Sequence, residues 1–198
     1  MKRRILFLVA ACLALLLAGC AFTEEITTTT VVVKKNGTVE EYVITDFDKD
    51  YYTLDELEQS LNQQITEYNR TAGEGAAQLK EVTQIEGSSQ IRVQFVYASF
   101  EDYEKIPVSD RVFFCGTVSE AYNAGYGFVS MINQETGEAI SKDSVLELGD
   151  KKILIAEEAL TVKVFGKITY VSEGVTVTDK KEAVLPENTG ILSYIIFE

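Results

Sequence analysis

Gln90-Ile91-Arg92-Val93-Gln94-Phe95-Val96-Tyr97-Ala98 alternates, with Ile91, Val93, Phe95 and Tyr97 set against Arg92 and Gln94. A period of two belongs to a strand, whose successive side chains point to opposite faces. One apolar face and one wet face is the habit of an antiparallel sheet. Gly87-Ser88-Ser89 just upstream is a turn signal, so Leu79 to Ile85 is expected to be the partner strand of a hairpin.

Further upstream the period changes. Leu54, Leu57, Leu61, Ile65 and Tyr68 recur at spacings of three and four, which places them on one side of a helix. Thr53 followed three residues later by Glu56 has the form of a capping box, and Gly73 lies beyond the end. The spacing predicts one amphipathic helix over about 53–70, its apolar stripe packed along the sheet. Before it, Ile26 to Val33 is almost wholly β-branched and Thr38 to Thr45 carries Val39, Tyr42, Val43 and Ile44. Lys35-Asn36-Gly37 between them predicts a hairpin, since Asn-Gly tolerates positive φ at both central positions.

Downstream, Ser99-Phe100-Glu101-Asp102 predicts a second, short helix ended near Pro107. Arg111 to Val118 reads as a strand and Ser119 to Ala124 as a helical turn. Phe128 to Ile132 and Ile140 to Leu148 show no decisive period. Lys152 to Ala156, Leu160 to Val171 and Val175 to Val177 have strand character, with a turn at Ser172-Glu173-Gly174. The nearly continuous apolar run Ile191 to Phe197 predicts a central strand buried on both faces. The fold class is therefore α+β: a mostly antiparallel β-sheet with one principal amphipathic helix packed on it. The end is β-rich, and a β subdomain over 150–198 is a further possibility.

The N-terminus follows other rules. Lys2, Arg3 and Arg4 precede an apolar run from Ile5 to Ala18, too short for the roughly 20 residues a spanning helix needs. Basic, apolar and small-residue regions in that order form a signal peptide. Leu17-Ala18-Gly19-Cys20 resembles the lipobox of bacterial lipoproteins, with all four positions matching. The resemblance implies cleavage after Gly19 and diacylglyceryl transfer to Cys20. It divides the chain into a signal (1–19), a lipidated N-terminus with a short tether (20–25) and one extracytoplasmic domain (26–198). It also implies a palmitate-type lipid anchor on the outer face of the cell membrane. The order of features after Cys20 is loosely similar to lipoproteins of Gram-positive gut bacteria, a likeness that carries no activity with it.

Composition narrows the chemistry. The net charge is −13, and residues 1–19 hold three cations and no acid, so the remainder is more acidic still. Such a surface repels phosphate backbones, which excludes nucleic acid as a partner and leaves membrane contact to the lipid. The chain has no histidine, so Ser-His-Asp and Cys-His catalysis and His-based zinc sites are impossible. Cys12 falls in the signal and Cys20 is the lipidation site, which leaves Cys115 in an apolar run without a disulfide partner.

Two groups of side chains are candidates for a site. Asp46, Asp48 and Asp50 alternate as in the first half of a calcium loop, but Tyr51 stands at the glycine position and Leu57 at the final glutamate. A solvated acidic loop is expected there, with weak Ca²⁺ binding as the alternative. Tyr51, Tyr52, Phe100, Tyr103, Tyr122, Tyr126 and Phe128 cluster around expected loops, and Tyr122 and Tyr126 are the ligand-binding candidates. Three functional readings follow. The first is a non-catalytic binding module of the cell envelope with a protein or envelope partner. The second is a capture module for a sugar, a peptide or Ca²⁺. The third is a glycosidase-type enzyme working with two carboxylates. No residue is assigned a catalytic role.

Overall fold

The computed structural model describes residues 26–48, 53–107, 111–187 and 190–198. The leader, Cys20, Asp50, Tyr51 and Tyr52 lie outside them. The described residues form thirteen strands and four helices in two mostly antiparallel sheets, so the fold is α+β and rich in β.

The opening hairpin joins β1 (Thr30–Val33) to β2 (Val39–Asp46), with Val33 opposite Val39. Its turn differs from the expected one. Among the described residues none other than glycine has a positive φ, so Asn36 stays in the ordinary region and in this turn only Gly37 is left-handed, at φ 91°. Gly37 donates to the Lys34 carbonyl and Lys34 to that of Thr38, at 3.0 and 2.9 Å. This is a three-residue loop closed by a glycine bulge, which leaves Asn36 free to bind Thr38 through its side chain.

α1 (Leu54–Ala72) starts with both halves of its capping box formed and ends at Gly73, φ 122°. β3 (Ala77–Gln84) and β4 (Gln90–Tyr97) follow as the expected hairpin, turned at Gly87. Then come α2 (Phe100–Lys105), capped by Ser99, β5 (Phe113–Thr117) and α3 (Val118–Asn123), capped by Thr117 with Glu120. The segments without a clear period contain β6 (Met131–Asn133), β7 (Ala139–Ile140) and α4 (Lys142–Leu146). They are too short to display one.

β8 (Lys152–Ala156), β9 (Thr161–Lys163), β10 (Ile168–Ser172), β11 (Thr176–Asp179), β12 (Glu182–Val184) and β13 (Ser193–Phe197) complete the chain. The stretch 150–198 is β-rich as expected, and its strands are divided between the two sheets. β9, β11 and β12 extend the first sheet, ordered β11-β12-β9-β1-β2-β4-β3, through a parallel pairing of β9 with β1. β8, β10 and β13 lie in the second, ordered β5-β8-β13-β10-β6-β7.

β13 sits inside that second sheet between β8 and β10, and all five of its residues are buried. Ile195 and Phe197 join Leu154 and Ala156 of β8 in the main core, against Val31, Val33 and Val162 of the first sheet. Tyr194 and Ile196 join Ile153 and Ile155 in a second core, closed by Val118 and Ala121 of α3 and Val145 of α4. One apolar strand thus serves two cores, which is why it shows no alternation. Gly166, between β9 and β10, is dictated by that strand's end: a Cβ there would fall 2.6 Å from the Glu198 carbonyl oxygen.

Candidate binding cleft

On the first sheet, β2, β4 and β3 face α1. The helix is held at its C-terminal half. Asn69 donates to the Ala77 carbonyl at 2.8 Å and accepts from the Ala77 N–H at 2.9 Å. The Tyr68 hydroxyl donates to Asp102 at 3.2 Å. Ile65 and Tyr68 are buried, at 7% and 8% exposure, but Leu54, Leu57 and Leu61 are only half-buried. The stripe expected to pack along its whole length packs along half of it. Its N-terminal half stands off the sheet, and Leu57 and Leu61 line the gap between helix and strands.

The gap is a cleft of about 300 Å³. Its sheet wall comes from alternate residues of two paired strands, Val43 with Val93 and Thr45 with Ile91 in register. Its helix wall is Leu57, Leu61, Gln64 and Ile65. Phe95 and Ile106 extend the apolar lining.

The floor is polar and closed on itself. Glu41 is in phase with Val39 and Val43 on the inward face, and is only 3% exposed. Its Oε1 lies 2.9 Å from Nη2 of Arg111, and its Oε2 accepts from the Tyr97 hydroxyl at 2.8 Å. Nε of Arg111 also reaches Glu158 at 3.3 Å, and its guanidinium lies over the Tyr103 ring, 4.5 Å from the centroid. Tyr103 is packed edge-on against Tyr97 and Phe113. Burial, with the Glu41 charge adding to it, pushes both the Tyr97 and the Tyr103 hydroxyl well above the ordinary tyrosine range, so both stay neutral donors. A buried carboxylate is tolerable only with such partners. Both Glu41 oxygens are therefore taken up within the protein.

The other candidates lie elsewhere. Asp46 ends β2 opposite Gln90, exposed, and Asp48 follows it, while Asp50 is outside the described residues. Among the described residues no three acidic or cysteine side chains gather as a metal site would require. Tyr122 is exposed on α3, whereas Tyr126 packs on Phe114, 5.3 Å between centroids. The structure does not bring this pair to the cleft. Among the described members of the aromatic group, Tyr103 lies next to the floor, packed as core on Tyr97 and beneath Arg111. Cys115 is partly buried in β5 near Phe100 and Phe165, and burial pushes its thiol up to about 12, which makes it a poor nucleophile.

The cleft could not be read from the sequence because its floor joins residues 41, 97, 111 and 158. One signal was present: Glu41 stands in phase with apolar inward neighbours, and a charge in that position requires a buried partner. Comparison with protein-family models, with curated proteins and with solved structures returns no match.

Proposed function

We propose that the protein is a lipid-anchored extracytoplasmic binding module, without catalytic activity, whose binding site is the cleft beneath the N-terminal half of α1. The anchor half of this reading rests on Leu17-Ala18-Gly19-Cys20 and on the basic and apolar regions before it. The binding half rests on one observation: a nearly all-apolar cleft stays open between a helix and a sheet in a protein that seals its other sheet face with α3 and α4. Pockets of about 300–1,000 Å³ with apolar walls and a few polar groups are the usual form of a small-ligand site.

The floor favours binding over catalysis. Two carboxylates are brought there, as a glycosidase would need, but Glu41 and Glu158 share one guanidinium instead of facing each other across open space. A sugar is also a poor fit, since its hydroxyls would meet Val43, Leu61, Ile91 and Val93. The ligand expected is apolar.

Two experiments test the two halves. Cys20→Ala should abolish lipid labelling and detergent partitioning of the full chain; a variant that keeps both refutes the anchor. The chain from Ala21 onward should bind the neutral apolar fluorophore N-phenylnaphthylamine, with Leu61→Gln weakening it by about tenfold, the value of roughly one leucine contact. Equal binding by Leu61→Gln and the unaltered chain rules the cleft out as the site.

A further inference from the structure

We infer that the occupant of the cleft is an acyl chain of a membrane lipid with an uncharged or zwitterionic headgroup. The inference rests on the binding-module reading above and adds the chemical class of the ligand and the direction from which it comes.

Position is the first reason. β1 runs antiparallel to β2 with Thr30 opposite Tyr42, and the Thr29 hydroxyl accepts from the Ile44 N–H at 3.1 Å. The chain therefore enters the fold at the Thr45 end of β2. That is the end where Thr45 and Ile91 form one wall of the cleft and Leu57 the other. The opposite end, at Val39 and Tyr97, is where Ala77 and Asn69 pin the helix. A lipid on Cys20 would be joined to Ile26 by a stretch reaching at most about 20 Å when fully extended. The end of the cleft at Thr45 and Leu57 is thus held close to the bilayer.

Chemistry is the second reason. A peptide lying in the cleft would bury backbone N–H and C=O groups, each needing a partner. Glu41 and Tyr97 are bonded to each other and to Arg111, and Thr45 and Gln64 stand exposed at the edge. An acyl chain asks for no hydrogen bond, and each methylene it buries contributes about 0.8 kcal/mol.

Charge selects the headgroup. Asp46 at the end of β2 and Asp55 and Glu56 in the first turn of α1 are all exposed at that same end. They repel anionic headgroups and tolerate phosphatidylcholine or phosphatidylethanolamine.

The test uses the full chain reconstituted into phosphatidylcholine vesicles doped with phosphatidylcholine carrying a diazirine on one acyl chain. After irradiation, labelled peptides are mapped by mass spectrometry. The expected result is label on peptides containing Val43, Leu61 and Val93 in addition to any on the anchor segment. That label should be lost in Val43→Phe and reduced in Leu61→Ala, with circular dichroism showing both variants folded. Replacing the labelled lipid with diazirine-bearing phosphatidylglycerol should lower labelling of the cleft. Label confined to the anchor segment, while N-phenylnaphthylamine still binds the chain from Ala21, overturns the lipid and leaves the cleft as a site. Cross-linking of the cleft to a second copy of the chain has the same consequence. Absence of both label and probe binding overturns the site itself. Equal labelling by both headgroups overturns the charge selection.

Discussion

Two sheet faces of this protein are covered by helices, and they are covered differently. On the outer face of the six-stranded sheet, α3 and α4 are short, yet Val118, Ala121 and Val145 are fully buried against Ile153, Ile155 and Ile196. On the seven-stranded sheet, α1 is the longest helix among the described residues and has a complete capping box, but it buries only Ile65 and Tyr68. Capping and amphipathic spacing determine that a helix forms; they do not determine how closely it packs. A long helix with strong local signals holds its own shape, so it can be pinned at one end and stand clear at the other. The short helices have no such independence and exist only by packing.

The largest expected effect lies in the sealed region. Phe197 is fully buried and edge-on to Phe165 at 5.0 Å, so Phe197→Ala should cost about 3–5 kcal/mol in urea unfolding. A similar cost is expected at the cleft floor for a different reason. Arg111→Met strips Glu41 of its ion pair while leaving it buried, a change worth about 3–5 kcal/mol. Adding Glu41→Gln should recover part of the loss, and a double variant as unstable as the sum of the two singles would show the pair to be uncoupled.

Within α1 itself the packed and the open half should respond differently. Ile65→Ala should cost about 2–5 kcal/mol and Leu61→Ala less than about 1.5 kcal/mol, because Leu61 is only partly buried and faces the cleft instead of packed side chains. An unbroken packed stripe would make the two equal.

The smallest effect concerns a cap. The Glu120 carboxyl accepts from the Thr117 N–H at 2.6 Å, and this bond, with the Thr117 hydroxyl assisting, holds it below the usual carboxylate range. A carboxyl with a lowered folded pKa contributes stability that is complete above its unfolded value and is lost as the pH falls through its folded one. Acid should therefore loosen α3, and Glu120→Gln should show a smaller loss between neutral and acid pH in thermal unfolding. Identical acid limbs would mean the cap has no weight.

How much of this was legible in the sequence depends on the range of the interaction. β4 and α1 were legible because period and capping act within one element: Thr53 with Glu56, Ile91 with Val93. β13 was legible because a run such as Tyr194-Ile195-Ile196-Phe197 has no wet face to offer. The parallel pairing of β9 with β1 and the three residues of β12 were not, since nothing local marks either. The cleft was hidden for a related reason. Leu57, Leu61 and Ile65 belong to one periodic stripe, and only the placement of Asn69 against Ala77 and of Tyr68 against Asp102 divides it into a packed half and an open half. The tyrosines singled out by their clustering, Tyr122 and Tyr126, were neighbours in sequence around α3 and not neighbours of the cleft.

If the space beneath the N-terminal half of α1 receives a ligand, filling that space should abolish binding without disturbing the fold. Val43→Phe adds bulk at the sheet wall of the cleft, and its urea unfolding and N-phenylnaphthylamine titration should be measured together. In a closed core, such overpacking costs about 1–3 kcal/mol. In the open cleft, Val43→Phe should leave stability unchanged or raised, with probe binding lost. A chain destabilised by that amount that still binds the probe as before would contradict it.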